Sequence, residues 1–157
     1  MSTLEFLSPE VCDPEVELAS PLVAGIEDLS FVGKVELRGE VGAFRAEPGE
    51  ELVRLTPERA LVFTDGSARA LVERARAQWL RAYDVTAAWA GLAVEGEQLL
   101  RRLTELDLDA LPAAGAIARG TPAILFRDGG ERFRIFVPQE LGRYVCEVVL
   151  DLRQGLA

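Results

Sequence analysis

The chain has 157 residues, 49% of them hydrophobic and 27% charged, with a formal net charge of −9. It holds no histidine and two cysteines, which excludes imidazole acid–base chemistry, His-based triads, HExxH zinc sites and a disulfide framework. The acidic balance argues against nucleic-acid or anionic-membrane binding, and with no basic stretch ahead of an apolar one and no apolar run of membrane length the expectation is a cytoplasmic protein.

Residues 1–33 carry seven acidic side chains and no basic one. Pro9, Pro14 and Pro21 break any long helix, while Leu4, Phe6, Val11, Val16 and Leu22 give the segment too much apolar content for a solvated tail. It is expected to be an acidic arm, packed on its own domain or on a partner. Cys12 and Cys146 read as small apolar filler. Of the 17 basic residues only Lys34 is lysine.

From residue 34 onward an alternating pattern sets in. Val35–Arg38 reads as a half-buried strand, Ala43–Arg45 as another short one, and Leu52–Leu55 and Ala60–Thr64 as a hairpin turned at Pro57. Asp65 or Ser67 caps a helix over Ser67–Arg81, with Leu71, Val72, Ala75 and Trp79 on one stripe. That spacing makes Trp79 a core or interface residue. Tyr83–Thr86 and Trp89–Val94 are strand material, Glu97 leads a helix holding Leu99, Leu100, Leu103 and Leu106, and Pro112 and Gly115 mark a loop. Ala123–Phe126 and Glu131–Val137 form a second hairpin around Gly129-Gly130, and Pro138 opens a last helix with Leu141, Val145, Val148, Val149 and Leu152 on its apolar face. The order hairpin then helix occurs twice. The fold expected is α+β, a single compact domain over residues 34–157 made of two pseudo-repeated ferredoxin-like halves.

The succession Tyr83-Asp84-Val85-Thr86, then Gly91-Leu92-Ala93-Val94-Glu95-Gly96-Glu97, then Leu106-Asp107-Leu108-Asp109-Ala110-Leu111-Pro112, resembles the folate-binding domain of the aminomethyltransferase (glycine-cleavage T-protein) superfamily. With Leu37-Arg38-Gly39 and the Leu55–Phe63 hairpin added, the sequence resembles the gamma-subunit family of heterotetrameric sarcosine oxidase more closely than the T-protein domain. Two departures stand out. The T-protein continues its Asp-Val-Ser start into His-Met-Gly, where this chain has Ala87-Ala88-Trp89. The family's catalytic aspartate follows a Gly-Gly turn, where this chain has Glu131-Arg132-Phe133-Arg134. The resemblance therefore implies no catalytic residue and a non-catalytic subunit of a sarcosine-oxidase-like complex of one-carbon metabolism. FAD, FMN and NAD would sit on partner subunits, tetrahydrofolate is the one ligand left open for this chain, and an isolated chain could self-associate as a homo-oligomer. The alternative is a stand-alone folate-binding protein.

Asp84 reads as a turn-facing carboxylate or a remnant ligand contact, and Trp89 as core or as a face for a planar cofactor. Together they are the candidate cofactor-binding pair. Arg127, Arg132 and Arg134 read as a solvated strand face, a carboxylate-binding patch or the rim of a partner interface. Asp107 and Asp109 supply too few oxygens for a metal site, and no metal is expected.

Overall fold

The computed structural model describes residues 25–156. Most of the expected acidic arm, with Cys12, lies outside them. In chain order the elements are β1 (Glu27–Asp28), β2 (Gly33–Arg38), β3 (Glu50–Thr56), β4 (Arg59–Thr64), α1 (Ala68–Ala77), β5 (Arg81–Asp84), β6 (Trp89–Glu95), α2 (Glu97–Leu103), β7 (Ala113–Ile117), β8 (Thr121–Arg127), β9 (Arg132–Pro138) and α3 (Gly142–Gln154). They divide between two compact units, one of Val32–Thr86 and one of residues 25–31 with 87–156. Among the described residues no helix is long and apolar enough to cross a membrane.

The Val32–Thr86 unit is an antiparallel sheet in the order β3-β4-β2-β5 with α1 on one face. Its core joins Val35, Leu37, Ala60, Val62 and Ala82 from the strands to Leu71, Val72 and Ala75 from α1. The helix starts where expected, because the Ser67 hydroxyl accepts the Ala70 N–H at 3.2 Å. The strand expected at Ala43–Arg45 is absent. Val41–Ala43 is instead a 3-10 turn, which seats Val41 and Phe44 in the core.

The other unit is a five-stranded sheet in the order β1-β6-β9-β8-β7, with every pairing antiparallel. Three antiparallel steps separate β6 from β7, so α2 does not make the parallel crossover of a split βαβ unit. The α+β expectation holds, but the ferredoxin-like crossover is not made in this sheet. α2 and α3 supply Leu99, Leu100, Leu103, Val145, Cys146 and Val149 to one face. Each large aliphatic side chain among them contributes about 1.5–3 kcal/mol by leaving water.

The central strands β6, β8 and β9 are buried on both sides. Ile124, Phe126 and Phe136 point away from the helices yet are almost wholly inaccessible, and the Phe126 and Phe136 rings meet edge to face at 5.7 Å. Two-sided burial explains the near-continuous apolar runs at Ala123–Phe126 and Ala90–Val94.

Three boundaries in this unit differ from the sequence pattern. β7 lies where Pro112 and Gly115 suggested a loop, pairing Ala113–Ile117 with Thr121–Leu125 along the sheet edge. Pro138 closes β9, and a 3-10 turn at Gln139–Leu141 intervenes before α3. The helix expected to carry Leu106 ends at Leu103, where the Thr104 hydroxyl donates to the Ala116 carbonyl at 2.8 Å and accepts the Leu106 N–H at 3.2 Å.

Cys146 is fully buried in α3, as apolar filler would be. Burial first, then the charges of Glu147 and Asp28, pushes its thiol pKa up to about 11. The thiolate is the reactive form. Iodoacetamide at neutral pH should therefore leave Cys146 unmodified in the native protein and label it fully in denaturant. Peptide mass spectrometry reads the outcome, and native-state labelling of Cys146 would contradict the burial.

Candidate functional site

α1 ends earlier than its stripe suggests, and the consequence is Trp79. Helical spacing from Ala75 places residue 79 on the buried face, yet Trp79 is 96% exposed. The helix stops at Ala77 and Trp79 takes a left-handed φ of 65°. Its N–H donates to the Arg76 carbonyl at 3.0 Å, and the Leu80 N–H donates to the Ala75 carbonyl at 3.2 Å. This is a Schellman cap, in which the left-handed position is ordinarily glycine and the next residue packs back on the helix. Leu80 does so and fills the core position expected for Trp79. Holding a tryptophan in the left-handed region costs about 1–2 kcal/mol, and no burial of the ring offsets it.

Next to this cap runs β5, an edge strand. Ala82 points into the core, and Arg81 and Tyr83 point the other way, Tyr83 being 46% exposed. The Arg38 guanidinium sits 5.9 Å from the Tyr83 ring centroid. Arg81 stands opposite Arg38 in register and has no ion-pair or hydrogen-bonding side-chain partner among the described residues. Arg38 is itself tied to Glu36, which also takes two hydrogen bonds from Arg59 at 3.0 and 3.1 Å. The edge thus presents Trp79, Arg81 and Tyr83 outward. These are the residue types that most often anchor protein interfaces. Sequence reasoning had no signal for Tyr83, and of its two readings of Trp79, core or interface, the exposure of the ring removes the core one.

Burial pushes the Glu36 carboxyl pKa up, but hydrogen bonds from Arg59 and Arg38 and their charges outweigh it and hold the group below 4.5. A depressed carboxyl pKa stabilises the fold above the unfolded value, and the stabilisation is lost as pH falls through the folded one. The arginine partners are about half exposed, so the carboxylate is worth about 1 kcal/mol rather than the full value of a buried pair. Glu36→Gln is expected to lower stability by that amount at pH 7 and to flatten the loss below pH 4.5, in urea titrations across pH. An unchanged acid limb would contradict the ion-pair cluster.

The remaining candidates are placed as follows. Asp84 is exposed at the end of β5, where its Oδ1 accepts the Thr86 N–H at 2.9 Å and the Thr86 hydroxyl at 2.6 Å. That hydroxyl accepts the Lys34 N–H at 3.0 Å, so Asp84 shapes the turn out of the strand. Trp89 is half-buried at the start of β6, opposite Pro138, and belongs to the other unit.

The three arginines do not form one patch: Arg132 and Arg134 share Asp128 on one face of the sheet, Arg127 stands opposite Phe133 on the other, and each is held by carboxylates of its own chain. Arg127 reaches Glu97 at 2.8 Å and Asp109 at 3.0 Å. Arg132 reaches Glu27 at 2.7 Å, and Arg134 reaches Asp128 at 2.7 Å while lying 4.5 Å from the Phe126 ring centroid. Hydrogen bonds from Arg101 and then Arg127 hold the Glu97 carboxyl below its ordinary value. Arg132 also lines a cavity of about 290 Å³ with Glu27, Glu95 and Arg153. Among the described residues no group of three or more potential ligands is arranged to hold a metal ion.

No protein-family model matches the sequence, and no curated protein matches it. The fold does have solved counterparts. It is the mixed helix-and-sheet fold shared by sarcosine oxidase and aminomethyltransferase chains. A chain of heterotetrameric sarcosine oxidase from Corynebacterium sp. U-96, solved with pyrrole 2-carboxylate, superposes with a TM-score of 0.68 at 16% identity, covering 80% of this chain and 81% of that one. The glycine cleavage system aminomethyltransferase T from Bartonella henselae superposes with a TM-score of 0.57, also at 16% identity, covering 80% of this chain and 45% of that one. The likeness first seen in short sequence strings is thus a likeness of fold.

Proposed function

We propose that this chain is a non-catalytic, cytoplasmic subunit of a sarcosine-oxidase-like complex, seated on a companion subunit through the Trp79–Arg81–Tyr83 edge. The exposed, left-handed Trp79 carries this reading. A side chain that costs the free chain stability and covers none of its own surface is explained by a socket on another protein. The unpartnered Arg81 calls for a carboxylate beside that socket. The superposition supports the assignment in one further respect: it covers equal shares of this chain and of the sarcosine oxidase chain, whereas the aminomethyltransferase chain extends well beyond the match. Flavin and nicotinamide chemistry would then belong to the companion subunits. The hairpin–helix order in both units, β3-β4-α1 and β8-β9-α3, supports a common origin for the two halves.

The test is purification of the tagged chain from its native cells at mild salt. Co-elution with a flavin-absorbing protein that consumes oxygen when given sarcosine supports the assignment. Recovery of the chain alone, or with copies of itself only, contradicts it.

A further inference from the structure

We propose that the cleft between the end of α2 and the β7–β8 turn binds a small molecule bearing two or more oxyanion groups, held by Arg102 and Arg119. The cavity measures about 570 Å³ and is lined by Arg101–Leu106 and Ala116–Gly120. That volume lies within the range of about 300–1,000 Å³ usual for small-ligand sites.

Charge separates this cleft from the rest of the surface. Arg38, Arg59, Arg127, Arg132 and Arg134 are held by carboxylates of their own chain, and Arg81, in the other unit, borders no such cavity. Arg101, at the cleft wall, is likewise held by Glu97 at 2.6 Å. Arg102 and Arg119 are not: neither has an ion-pair or hydrogen-bonding side-chain partner among the described residues. On a chain of net charge −9, two uncommitted guanidinium groups border one cavity. Glu105 is the single acidic residue in the lining, so the wall is positive on balance.

Backbone conformation gives a second, independent observation. Arg119 has φ 57° and Gly120 has φ 81°, with the Thr121 N–H donating to the Ala118 carbonyl across the turn at 3.4 Å. Positive φ at both central residues is the demand of a type I′ turn, and Asn-Gly meets it with least strain. Arginine there weakens the turn and puts a charged residue in the lining of the cleft. An outlier that costs stability and carries an unpaired charge beside a cavity is explained by a ligand. A guanidinium presents a planar fork of donors to a phosphate or a carboxylate alike, so the chemistry shared by the two is what the cleft selects.

This inference stands apart from the proposed subunit role and is tested on the full chain by itself. Calorimetry at physiological salt with inorganic pyrophosphate and, separately, with citrate should show saturable binding of at least one at or below about 1 mM. Pyrophosphate binding alone points to phosphorylated ligands, and citrate binding alone to polycarboxylates. Arg102→Gln and Arg119→Gln should each weaken binding on the order of tenfold. Arg119→Asn should melt about 2–4 °C above the natural chain, because it relaxes the turn, and yet lose binding to the same extent. Failure of both anions to saturate, or equal binding by all three variants and the natural chain, would overturn the proposal. A lower melting temperature for Arg119→Asn would do the same, since the turn would then gain from arginine.

Discussion

Trp79→Gly is expected to make the isolated chain more stable and the assembled complex weaker. Glycine enters the left-handed region without the Cβ penalty, so the cap after Ala77 should gain about 0.5–1 kcal/mol, a rise of a few degrees in melting temperature. The ring is 96% exposed, so its removal opens no cavity to offset that gain. In the complex the same substitution removes the interface anchor. Truncation of a central tryptophan costs about 2 kcal/mol or more, on the order of thirtyfold in affinity. Differential scanning fluorimetry of the free chain and analytical gel filtration of the co-purified complex read the two halves separately. A destabilised free chain would mean that the ring packs on its own domain. A complex of undiminished affinity would mean that the companion subunit seats elsewhere.

Gly91→Ala is expected to be among the most damaging single-methyl changes in the molecule. Gly91 lies in the middle of β6, where a Cβ would stand 2.5 and 2.7 Å from ring carbons of Phe136 and 2.8 Å from the Leu29 carbonyl oxygen. Phe136 is fully buried and cannot swing away, and Leu29 is fixed by its own N–H donating to the Gly91 carbonyl at 2.8 Å. The Gly91 N–H in turn donates to the Ser30 hydroxyl at 3.2 Å. A methyl group here must displace either an aromatic ring in the sheet or the strap formed by residues 28–30. Overpacking of this kind costs about 1–3 kcal/mol and occasionally more. Urea unfolding should show a lower midpoint by that amount, with faster exchange of the β1 and β6 amides. Unchanged stability would mean that the strap at Leu29 does not press on β6.

The sequence alone established the features set by local chemistry. Period-two alternation located β9, since Arg132 and Arg134 must face away from Phe133 and Ile135. Asp65 and Ser67 bracketed the start of α1, where the structure selects Ser67, and Gly129-Gly130 marked the second hairpin turn, at φ 99° and 56°. The absence of histidine excluded whole reaction classes without any coordinates. The α+β class and the likeness to the sarcosine oxidase and T-protein fold were legible in element order. Short strings carried that likeness even though identity to the solved counterparts is only 16%.

Tertiary structure decided what depends on residues distant in the chain. β7 has the sequence Ala-Ala-Gly-Ala-Ile, with little intrinsic strand preference, and becomes a strand because β8 supplies a hydrogen-bonding edge. Arg127, Arg132 and Arg134 looked available for a partner. The carboxylates that occupy them come from β1, α2, a 3-10 turn and the β8–β9 turn, a convergence that no local pattern encodes. The core reading of Trp79 fails for the same reason. Helical periodicity says which face a residue would join if the helix continued, but the end of α1 is set by Leu80 docking on the sheet, and one left-handed residue then turns tryptophan into solvent. Periodicity is a property of neighbours in sequence, whereas termination, ion pairing and edge pairing are free-energy comparisons made among neighbours in space.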